Sequence, residues 1–194
     1  QDFTNVKSLG VEKPELVIVQ LEIPLETVFS VIKTAHKAGI AVLLNPAPAV
    51  ELPVEVLKDV DHLIVNESEA AILSGQNSES FDVLCLDWGS ITDEFLRKGV
   101  KNVVVTLGSK GAYASRKIGG GLMVEPAKVV QVVDTTAAGD TFVGAYAVEA
   151  VRYQVDKWDM EDAVKWACKA AGRTVEKNGA QSAIPWASEI EGPS

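Results

Sequence analysis

The stretch Asp134-Thr135-Thr136-Ala137-Ala138-Gly139-Asp140-Thr141 joins a β-branched segment, Lys128–Val133, to an apolar run that predicts a helix over about Thr141–Arg152. Its small residues, Ala137-Ala138-Gly139, let backbone N–H groups at a helix start approach an anion, and the helix dipole adds partial positive charge. Asp140 adds a carboxylate at the same turn. This pairing suits phosphoryl transfer to a hydroxyl, although an ordinary helix N-terminus would explain it equally well.

Composition and charge narrow the class of protein. The chain has 194 residues and 47% hydrophobic content, which is enough for one sizeable core. Its formal net charge of -9 argues against nucleic acid, because phosphate backbones select surfaces rich in Lys and Arg. No apolar run reaches the ~18 residues that span a bilayer, and no basic-then-apolar leader opens the chain. We therefore expect a cytoplasmic protein without nucleic-acid or membrane partners.

Continuous apolar runs alternate with helical patterns over the first half of the chain. Such runs are typical of strands that are covered on both faces. The alternation predicts an α/β fold with a doubly wound, mainly parallel sheet and ligands at the carboxyl ends of its strands. The expected strands are Leu16–Leu21, Ile40–Leu44, His62–Val65 and Asn102–Thr106, and the expected helices are Leu25–Ala38, Val54–Lys58, Glu67–Leu73 and Ile91–Lys98.

The pattern changes after Thr106. Ala112–Arg116 and Leu122–Glu125 flank a glycine-rich turn and predict an antiparallel hairpin. Lys128–Val133 then predicts a strand, and Met160–Val175 carries apolar residues at helical spacing. Because no repeat, linker or low-complexity tract interrupts residues 1–194, we expect one domain. Two cysteines, Cys85 and Cys168, lack the C-x-x-C spacing of a zinc site and are expected to be buried or incidental thiols.

Two motifs follow predicted strands and leave alternatives open. Asn66 and Glu69 stand three residues apart, which suits either Mg²⁺ binding through water or an N-terminal capping box. Thr106-Leu107-Gly108-Ser109-Lys110-Gly111 has two glycines around a polar pair, which suits either a phosphate-binding loop or a plain turn into the hairpin. It does not have the spacing of a P-loop.

Two further segments also have two possible interpretations each. Glu22 is a carboxylate just beyond a buried strand, where it could meet sugar hydroxyls or simply face solvent. The segment Lys177–Ala183 is a polar loop whose carbonyl oxygens could converge on a cation, or it is an ordinary connection.

Taken together and in this order, these motifs resemble the PfkB carbohydrate kinases, and most closely their ribokinase-like members. The similarity covers nearly the whole chain, and its joint occurrence by chance is hard to credit. The residues that carry it are Gln20–Glu26, Asn45–Ala49, Asn66–Glu69, Thr106–Gly111, Asp134–Thr141 and Gly179–Gln181.

The resemblance implies an ATP-dependent sugar kinase that phosphorylates the primary hydroxyl of D-ribose to give ribose 5-phosphate. It implies that Asp140 is the catalytic base and that the amides of Ala137, Ala138 and Gly139 form the anion hole. Glu22 would contact the sugar together with Asp140. The implied ATP-binding residues are Asn66, Thr106, Leu107, Gly108, Ser109, Lys110, Gly111, Gly139 and Cys168.

The resemblance also implies two metal sites. Glu69 would place Mg²⁺ through water, and a monovalent cation, usually K⁺, would lie beside the anion hole. Most ligands of that cation would be main-chain carbonyls, and many ribokinase-like members have a serine where this chain has Ala183. The implied cation positions are Asp134, Thr136, Thr174, Lys177, Gly179 and Ala183.

Members of the family carry further amino-terminal strands, a glycine-glycine sugar motif and a small β-lid, none of which is recognisable here. We therefore expect the carboxyl-terminal, nucleotide-side part of a larger domain, with little activity by itself and a homodimer through the lid portion. Other acceptors stay open, namely fructose, a nucleoside or a keto-deoxy sugar acid, because most of the sugar pocket would lie in that other portion. A non-catalytic nucleotide-binding fragment is the alternative from a different class.

Overall fold

A computed structural model describes residues 3–75, 87–152 and 158–191. Within them, six strands form one sheet in the order β1-β2-β3-β4-β5-β6. The strands are β1 (Leu16–Val19), β2 (Ala41–Leu44), β3 (His62–Asn66), β4 (Asn102–Thr106), β5 (Ala112–Arg116) and β6 (Gly120–Val124). The helices are α1 (Leu25–Lys37), α2 (Val54–Leu57), α3 (Glu67–Leu73), α4 (Trp88–Arg97), α5 (Ala138–Arg152), α6 (Met160–Val175) and α7 (Ala187–Glu191).

The first four strands confirm the predicted parallel sheet. β1 pairs with β2, β2 with β3 and β3 with β4, all in parallel. The apolar residues of β2, β3 and β4 are almost completely buried, as expected of strands covered on both faces. β1 differs, because it is an edge strand of the described sheet and Ile18 remains 45% exposed. It also ends at Val19, two residues earlier than predicted.

Helix α1 illustrates how the crossovers form. Its apolar residues Val28, Val31, Ile32 and Ala35 recur at helical spacing and are all buried. The chain leaves the helix through Gly39, whose φ of 64° is a left-handed conformation that glycine adopts without a steric penalty. The helix therefore has the bounds that the sequence predicts to within one residue.

Strands β5 and β6 form the predicted hairpin. They are neighbours in the sheet and only three residues separate them, so they must run antiparallel. β6 begins at Gly120, two residues earlier than predicted. The Tyr113 side chain lies against the strand at Gly121, where a Cβ would be only 2.0 Å from the Tyr113 hydroxyl oxygen. Glycine leaves the space that this side chain occupies.

The described chain groups into two compact units. Unit 1 comprises residues 1–106 and 113–121, and unit 2 comprises residues 107–112 and 122–194. Unit 1 contains the parallel strands with α1 to α4. Unit 2 contains α5, α6 and α7, and the predicted site residues are divided between the two units.

Unit 2 is organised by the packing of α5 against α6. Tyr146 on α5 is completely buried, and its ring meets that of Trp158 edge-on at a centroid distance of 6.3 Å. Burial on α6 raises the pKa of the Cys168 thiol to about 11, which agrees with the buried thiol that we expected. Cys85 lies outside the described residues.

One predicted strand is absent, and two helices begin three residues earlier than predicted. Lys128–Val133 is not a strand: Val130 is 93% exposed, and the amide of Val133 donates to the carbonyl at the end of α6 instead of to another strand. α5 begins at Ala138 and not at Thr141, so Asp140 belongs to its first turn. α4 begins at Trp88 and not at Ile91, because the Asp87 carboxylate caps it by accepting the Ser90 amide.

The Asp61 carboxylate stabilises unit 1 at the amino end of the sheet. One oxygen accepts the amide of the fully buried Val42 at 2.8 Å, and the other pairs with the exposed Lys101. Asp61→Ala should lower the free energy of unfolding by about 2 kcal/mol, because it leaves a buried N–H without an acceptor. The lost ion pair adds less than about 1 kcal/mol.

Urea unfolding measures this change. Asp59→Ala is the matched control, because Asp59 is nearby and pairs only with the exposed His36 at 3.5 Å among the contacts described for it. A control that costs as much as Asp61→Ala would contradict the assignment of the effect to the Val42 amide.

Candidate functional site

The carboxyl ends of four parallel strands gather polar residues along one edge of unit 1. The loops after β1 and β2 are joined by a hydrogen bond from the Leu21 amide to the Ala47 carbonyl, at 3.0 Å. Asn45 continues the connection by donating to the Ile64 carbonyl of β3 at 3.0 Å. Asn66 and Thr106 are register partners at the ends of β3 and β4. The edge therefore has the position where ligands bind to open α/β sheets.

Glu22 lies on the exposed bend directly after this connection. Its carboxylate is at the same edge as Asn66 and Thr106 because it follows a strand parallel to theirs. The exposure leaves the oxygens accessible to a hydroxylated ligand, and the sugar contact stays a prediction.

Asn66 and Glu69 form a capping box at the start of α3. The Asn66 side chain accepts the Glu69 amide at 2.8 Å, and the Glu69 carboxylate accepts the Asn66 amide at 2.8 Å. Burial raises the pKa of the Glu69 carboxyl above its ordinary value, against the opposing hydrogen bond from the Asn66 backbone. The capping box, which was the alternative to Mg²⁺ binding, is thus present. The roles of Asn66 toward ATP and of Glu69 toward Mg²⁺ stay predictions.

The loop Leu107–Gly111 opens unit 2 as a tight turn. The Leu107 amide donates to the Gly111 carbonyl at 2.8 Å across a short 3-10 turn. Gly111 has a φ of 88°, and a Cβ there would lie 2.1 Å from the Val124 carbonyl oxygen, so only glycine fits. Gly108, Ser109 and Lys110 are exposed on the outside of the turn, where a phosphate could reach them.

The segment before α5 places Asp140 and the first helix amides together. Ala137 has a φ of 61°, a strained conformation for alanine, and its carbonyl accepts the Thr141 amide at 2.9 Å. The Ala138 amide donates weakly to the Thr135 carbonyl at 3.3 Å. The first amides of a helix have no acceptor within the helix itself, and a Cβ on Gly139 would meet nothing within 4 Å. The turn therefore has open space where an anion could bind.

A cleft of about 470 Å³ runs along α5 within unit 2. Asp140 lies at its rim, while Trp166 and Ala170 of α6 and Ile184 and Pro185 of the following loop complete its largely apolar wall. Asp140 is thus exposed next to a cavity, as a general base for a bound hydroxyl must be.

The Asp134 carboxylate joins the two segments that the cation prediction named. One oxygen accepts the Thr136 amide at 2.9 Å, and the other accepts the Gly179 amide at 3.0 Å. The Val175 carbonyl, beside Thr174, accepts the Asp134 amide at 3.3 Å. These hydrogen bonds bring Asp134, Thr136, Thr174 and Gly179 into one region of unit 2.

The atoms in this region that could bind a cation are carboxylate, hydroxyl and carbonyl oxygens, which are the ligands that hard cations prefer. Lys177 instead directs its ammonium group to Glu189 at 2.9 Å, so that residue can contribute only its backbone. Ala183 is buried in a 3-10 turn. Among the residues that the structure covers, no cluster of three or more His, Cys, Asp or Glu side chains could hold a metal.

Sequence reasoning missed one contact in this region. The hydroxyl of Thr174 donates to that of Thr141 at 2.9 Å, and both residues are buried. Thr141 belongs to the quoted motif and Thr174 to the cation prediction, but 33 residues separate them. A contact between side chains on two helices depends on how the helices pack, which no local pattern indicates.

These features define a class of protein: unit 1 has an open α/β sheet with polar residues at its strand ends, and unit 2 has a carboxylate in the first turn of a helix. The family model for pfkB carbohydrate kinases matches residues 1–187. The chain belongs to this family.

Individual relatives agree with the family assignment. The chain is 41% identical over 191 residues to the ribokinase of Schizosaccharomyces pombe, which covers 98% of this chain and 58% of that protein. It is 38% identical over 175 residues to the deoxyribokinase of Salmonella typhi, covering 90% of this chain and 54% of that protein. The chain thus spans a little over half the length of the curated relatives it matches.

A solved structure confirms the fold. The ribokinase of Arabidopsis thaliana, in complex with ribose and ATP, superposes with a TM-score of 0.79 at 32% identity over 91% of this chain and 55% of that one. The mixed six-stranded sheet flanked by helices is therefore a ribokinase-like fold. No helix in residues 3–75, 87–152 or 158–191 combines the length and apolarity needed to cross a membrane.

The Asp134 carboxylate should make stability depend on pH. Hydrogen bonds from Thr136, first its hydroxyl and then its amide, and from the Gly179 amide hold the pKa of Asp134 below its ordinary value. A carboxyl with a lowered pKa stabilises the folded state above about pH 3.9, and this contribution is lost as the pH falls through the lowered pKa. Asp134→Asn should therefore lower the melting temperature at neutral pH, and the difference from the parent should shrink as the solution is acidified.

Thermal unfolding at a series of pH values between about 7 and 3 measures this difference. Glu125→Gln serves as the control, because Glu125 is an exposed carboxylate of the same unit. A difference between Asp134→Asn and the parent that stays constant across the series would contradict the role of the charged carboxylate.

Proposed function

We propose that this chain is the nucleotide-side part of an ATP-dependent sugar kinase, a phosphotransferase that transfers the γ-phosphate of ATP to the primary hydroxyl of D-ribose. The observation that carries the proposal is the placement of the Asp140 carboxylate in the first turn of α5, beside open space and a cleft. Membership of the pfkB family and the similarity to two ribokinases support the same activity.

In the proposed reaction the Asp140 carboxylate accepts the proton of the attacking hydroxyl. The hydroxyl oxygen forms a bond to the γ-phosphorus as the bond to the β-phosphate oxygen breaks, and ADP leaves. The amides at the start of α5, chiefly that of Gly139, stabilise the charge on the phosphoryl oxygens. These two roles require that the Asp140 carboxylate and the backbone amides lie on the same helical turn. Asp140 lies in the first turn of α5, as the roles require.

The remaining roles are proposed from the family membership. In unit 1, Asn66 and Thr106 at the sheet edge would bind ATP and Glu22 would bind the sugar. In unit 2, the exposed turn of Gly108, Ser109 and Lys110 would bind ATP. When bound, Mg²⁺ would neutralise phosphate charge, with Glu69 acting through water. K⁺ would be held by the oxygens that the Asp134 hydrogen bonds bring together, and it would support the shape of the α5 start.

A second acceptor has a specific observation in its favour. The Salmonella typhi relative is a deoxyribokinase at an identity close to that of the ribokinases. Ribose and 2-deoxyribose differ by one hydroxyl, and a site that hydrogen-bonds a hydroxyl discriminates strongly against the analogue without it. Ribose is our first choice because the S. pombe and Arabidopsis relatives are both ribokinases.

The catalytic role of Asp140 gives a direct test. Asp140→Asn keeps the size of the side chain but removes the proton acceptor, so turnover should fall by about 10²- to 10⁴-fold. Binding of a non-hydrolysable ATP analogue, measured by calorimetry, should stay within about threefold of the parent, since base catalysis acts on the acceptor hydroxyl. Asp162→Asn, in the exposed first turn of α6, is the matched control and should leave both quantities unchanged.

Near-normal turnover in Asp140→Asn would refute the assignment. The assay uses the chain alone and the chain joined to the portion of the S. pombe ribokinase that lies outside the match. ATP binding without phosphorylation in both forms would favour the non-catalytic fragment.

The acceptor is tested with a panel of sugars. Ribose should be phosphorylated with a kcat/KM at least about tenfold above those of 2-deoxyribose, fructose and inosine. Each of these differs from ribose in the hydroxyls that a ribose pocket would bind. Each assay is run with K⁺ and with a tetraalkylammonium salt of the same ionic strength, and K⁺ should raise the rate. A preference for 2-deoxyribose would transfer the proposal to the deoxyribokinase alternative.

A further inference from the structure

The hydrogen bond between Thr141 and Thr174 crosses from one helix of unit 2 to another. Thr141 lies in the first turn of α5, and Thr174 lies in the last turn of α6. Their hydroxyl oxygens are 2.9 Å apart, with Thr141 5% exposed and Thr174 completely buried. The pair is thus a buried polar contact at the point where the two helices meet the candidate site.

The Thr174 hydroxyl lies close to two oxygen atoms, one on its own helix and one on α5. A threonine inside a helix can return its hydroxyl proton to the carbonyl four residues earlier, and Thr174 does lie 3.2 Å from the Ala170 carbonyl. The Thr141 oxygen is closer, at 2.9 Å, and it is buried where water cannot replace the partner. The two hydroxyls therefore join the helices, and the contact is also connected to the backbone of α6 through the Ala170 carbonyl.

The bond closes a ring of contacts around the candidate site. From Thr141 the chain leads back through Asp140 to the Asp134 segment, whose carboxylate accepts the Gly179 amide. From Thr174 it leads to Val175, whose carbonyl accepts the amides of Val133 and Asp134. The start of α5 and the end of α6 are thus connected twice, once through backbone and carboxylate and once through the two hydroxyls.

We propose that Thr141 and Thr174 are positioning residues: their hydrogen bond fixes the first turn of α5, and with it Asp140, against the end of α6, to which the Asp134 segment is also bound. The proposal rests on the proposed function for its kinetic consequence. It assigns the hydroxyls no contact with ATP or sugar. Loss of the bond lets the first turn move, which lowers the rate of the chemical step more than it weakens substrate binding, since small misplacements of a reacting group are costly.

The first experiment does not depend on activity. Amide hydrogen exchange is measured on the full chain for the parent, Thr174→Val and Thr141→Val. Each valine variant keeps the shape and removes the hydroxyl, so exchange of the amides from 136 to 141 should become about five- to tenfold faster. Thr92→Val is the matched control, because Thr92 is equally buried but bonds only to carbonyls of its own helix α4 among the contacts described for it.

The second experiment measures kinetics with the active form of the protein. In Thr174→Val, kcat should fall by about ten- to a hundredfold while the KM for ATP changes by less than about threefold. The Thr141→Val/Thr174→Val double variant should be no slower than the worse single variant, because both substitutions remove the same bond. Thr174→Ser keeps the hydroxyl and loses only the methyl group, so it should retain most of the rate. A rate as low as that of Thr174→Val would show that packing, and not the hydrogen bond, is responsible.

The outcomes separate this proposal from the proposed function. Unchanged exchange at residues 136 to 141 in both valine variants overturns the positioning role whether or not the parent phosphorylates a sugar. If the valine variants exchange faster at these residues but the parent shows no kinase activity, the positioning role of the bond is supported and only the proposed function is refuted. Kinetic effects that multiply in the double variant would show two independent roles and would also overturn the proposal.

Discussion

The carboxylate of Asp134 is the contact on which the candidate site of unit 2 depends, because it joins the two segments that form it. Its two oxygens accept amides from Thr136 and from Gly179, which lie 43 residues apart along the chain. The segment before α5 forms no strand, and its other partners lie at the end of α6: the amides of Val133 and Asp134 donate to the Val175 carbonyl, and that of Val130 donates to the Glu176 carboxylate. A few individual contacts therefore replace the ladder of hydrogen bonds that a strand would have provided, and they lie beside the helix start that bears Asp140.

In unit 1 the polar residues of the candidate site are held in place differently, by the pairing of the strands. Parallel pairing brings the ends of β1 to β4 to one edge, so residues that follow each strand become neighbours through the backbone of the sheet. Asn66 is additionally fixed by its capping box with Glu69. The parts of the candidate site that derive from the sheet are thus held by backbone geometry, whereas those of unit 2 depend on individual side chains.

This difference explains how much could be predicted from the sequence. The buried strands β2, β3 and β4, the helix α1 and the hairpin follow from local hydrophobic patterns and turn residues, and the prediction located them to within a few residues. Asp140 and the Asn66–Glu69 motif were identified because their spacing is short. Lys128–Val133 was misjudged, since β-branched residues favour strands only where a partner strand covers them. The bond between Thr141 and Thr174 could not be predicted, because it depends on the packing of two helices.

Ala137 adds a consequence for the thermodynamics of ligand binding. Its φ of 61° would be natural for glycine, yet the chain places an alanine there, at a cost of about 1 kcal/mol that neighbouring hydrogen bonds must offset. In return, the backbone before α5 has fewer conformations to choose from than a glycine would allow. The backbone therefore loses less conformational entropy when an anion binds at the site proposed beside Ala137, and the entropic penalty of binding is smaller.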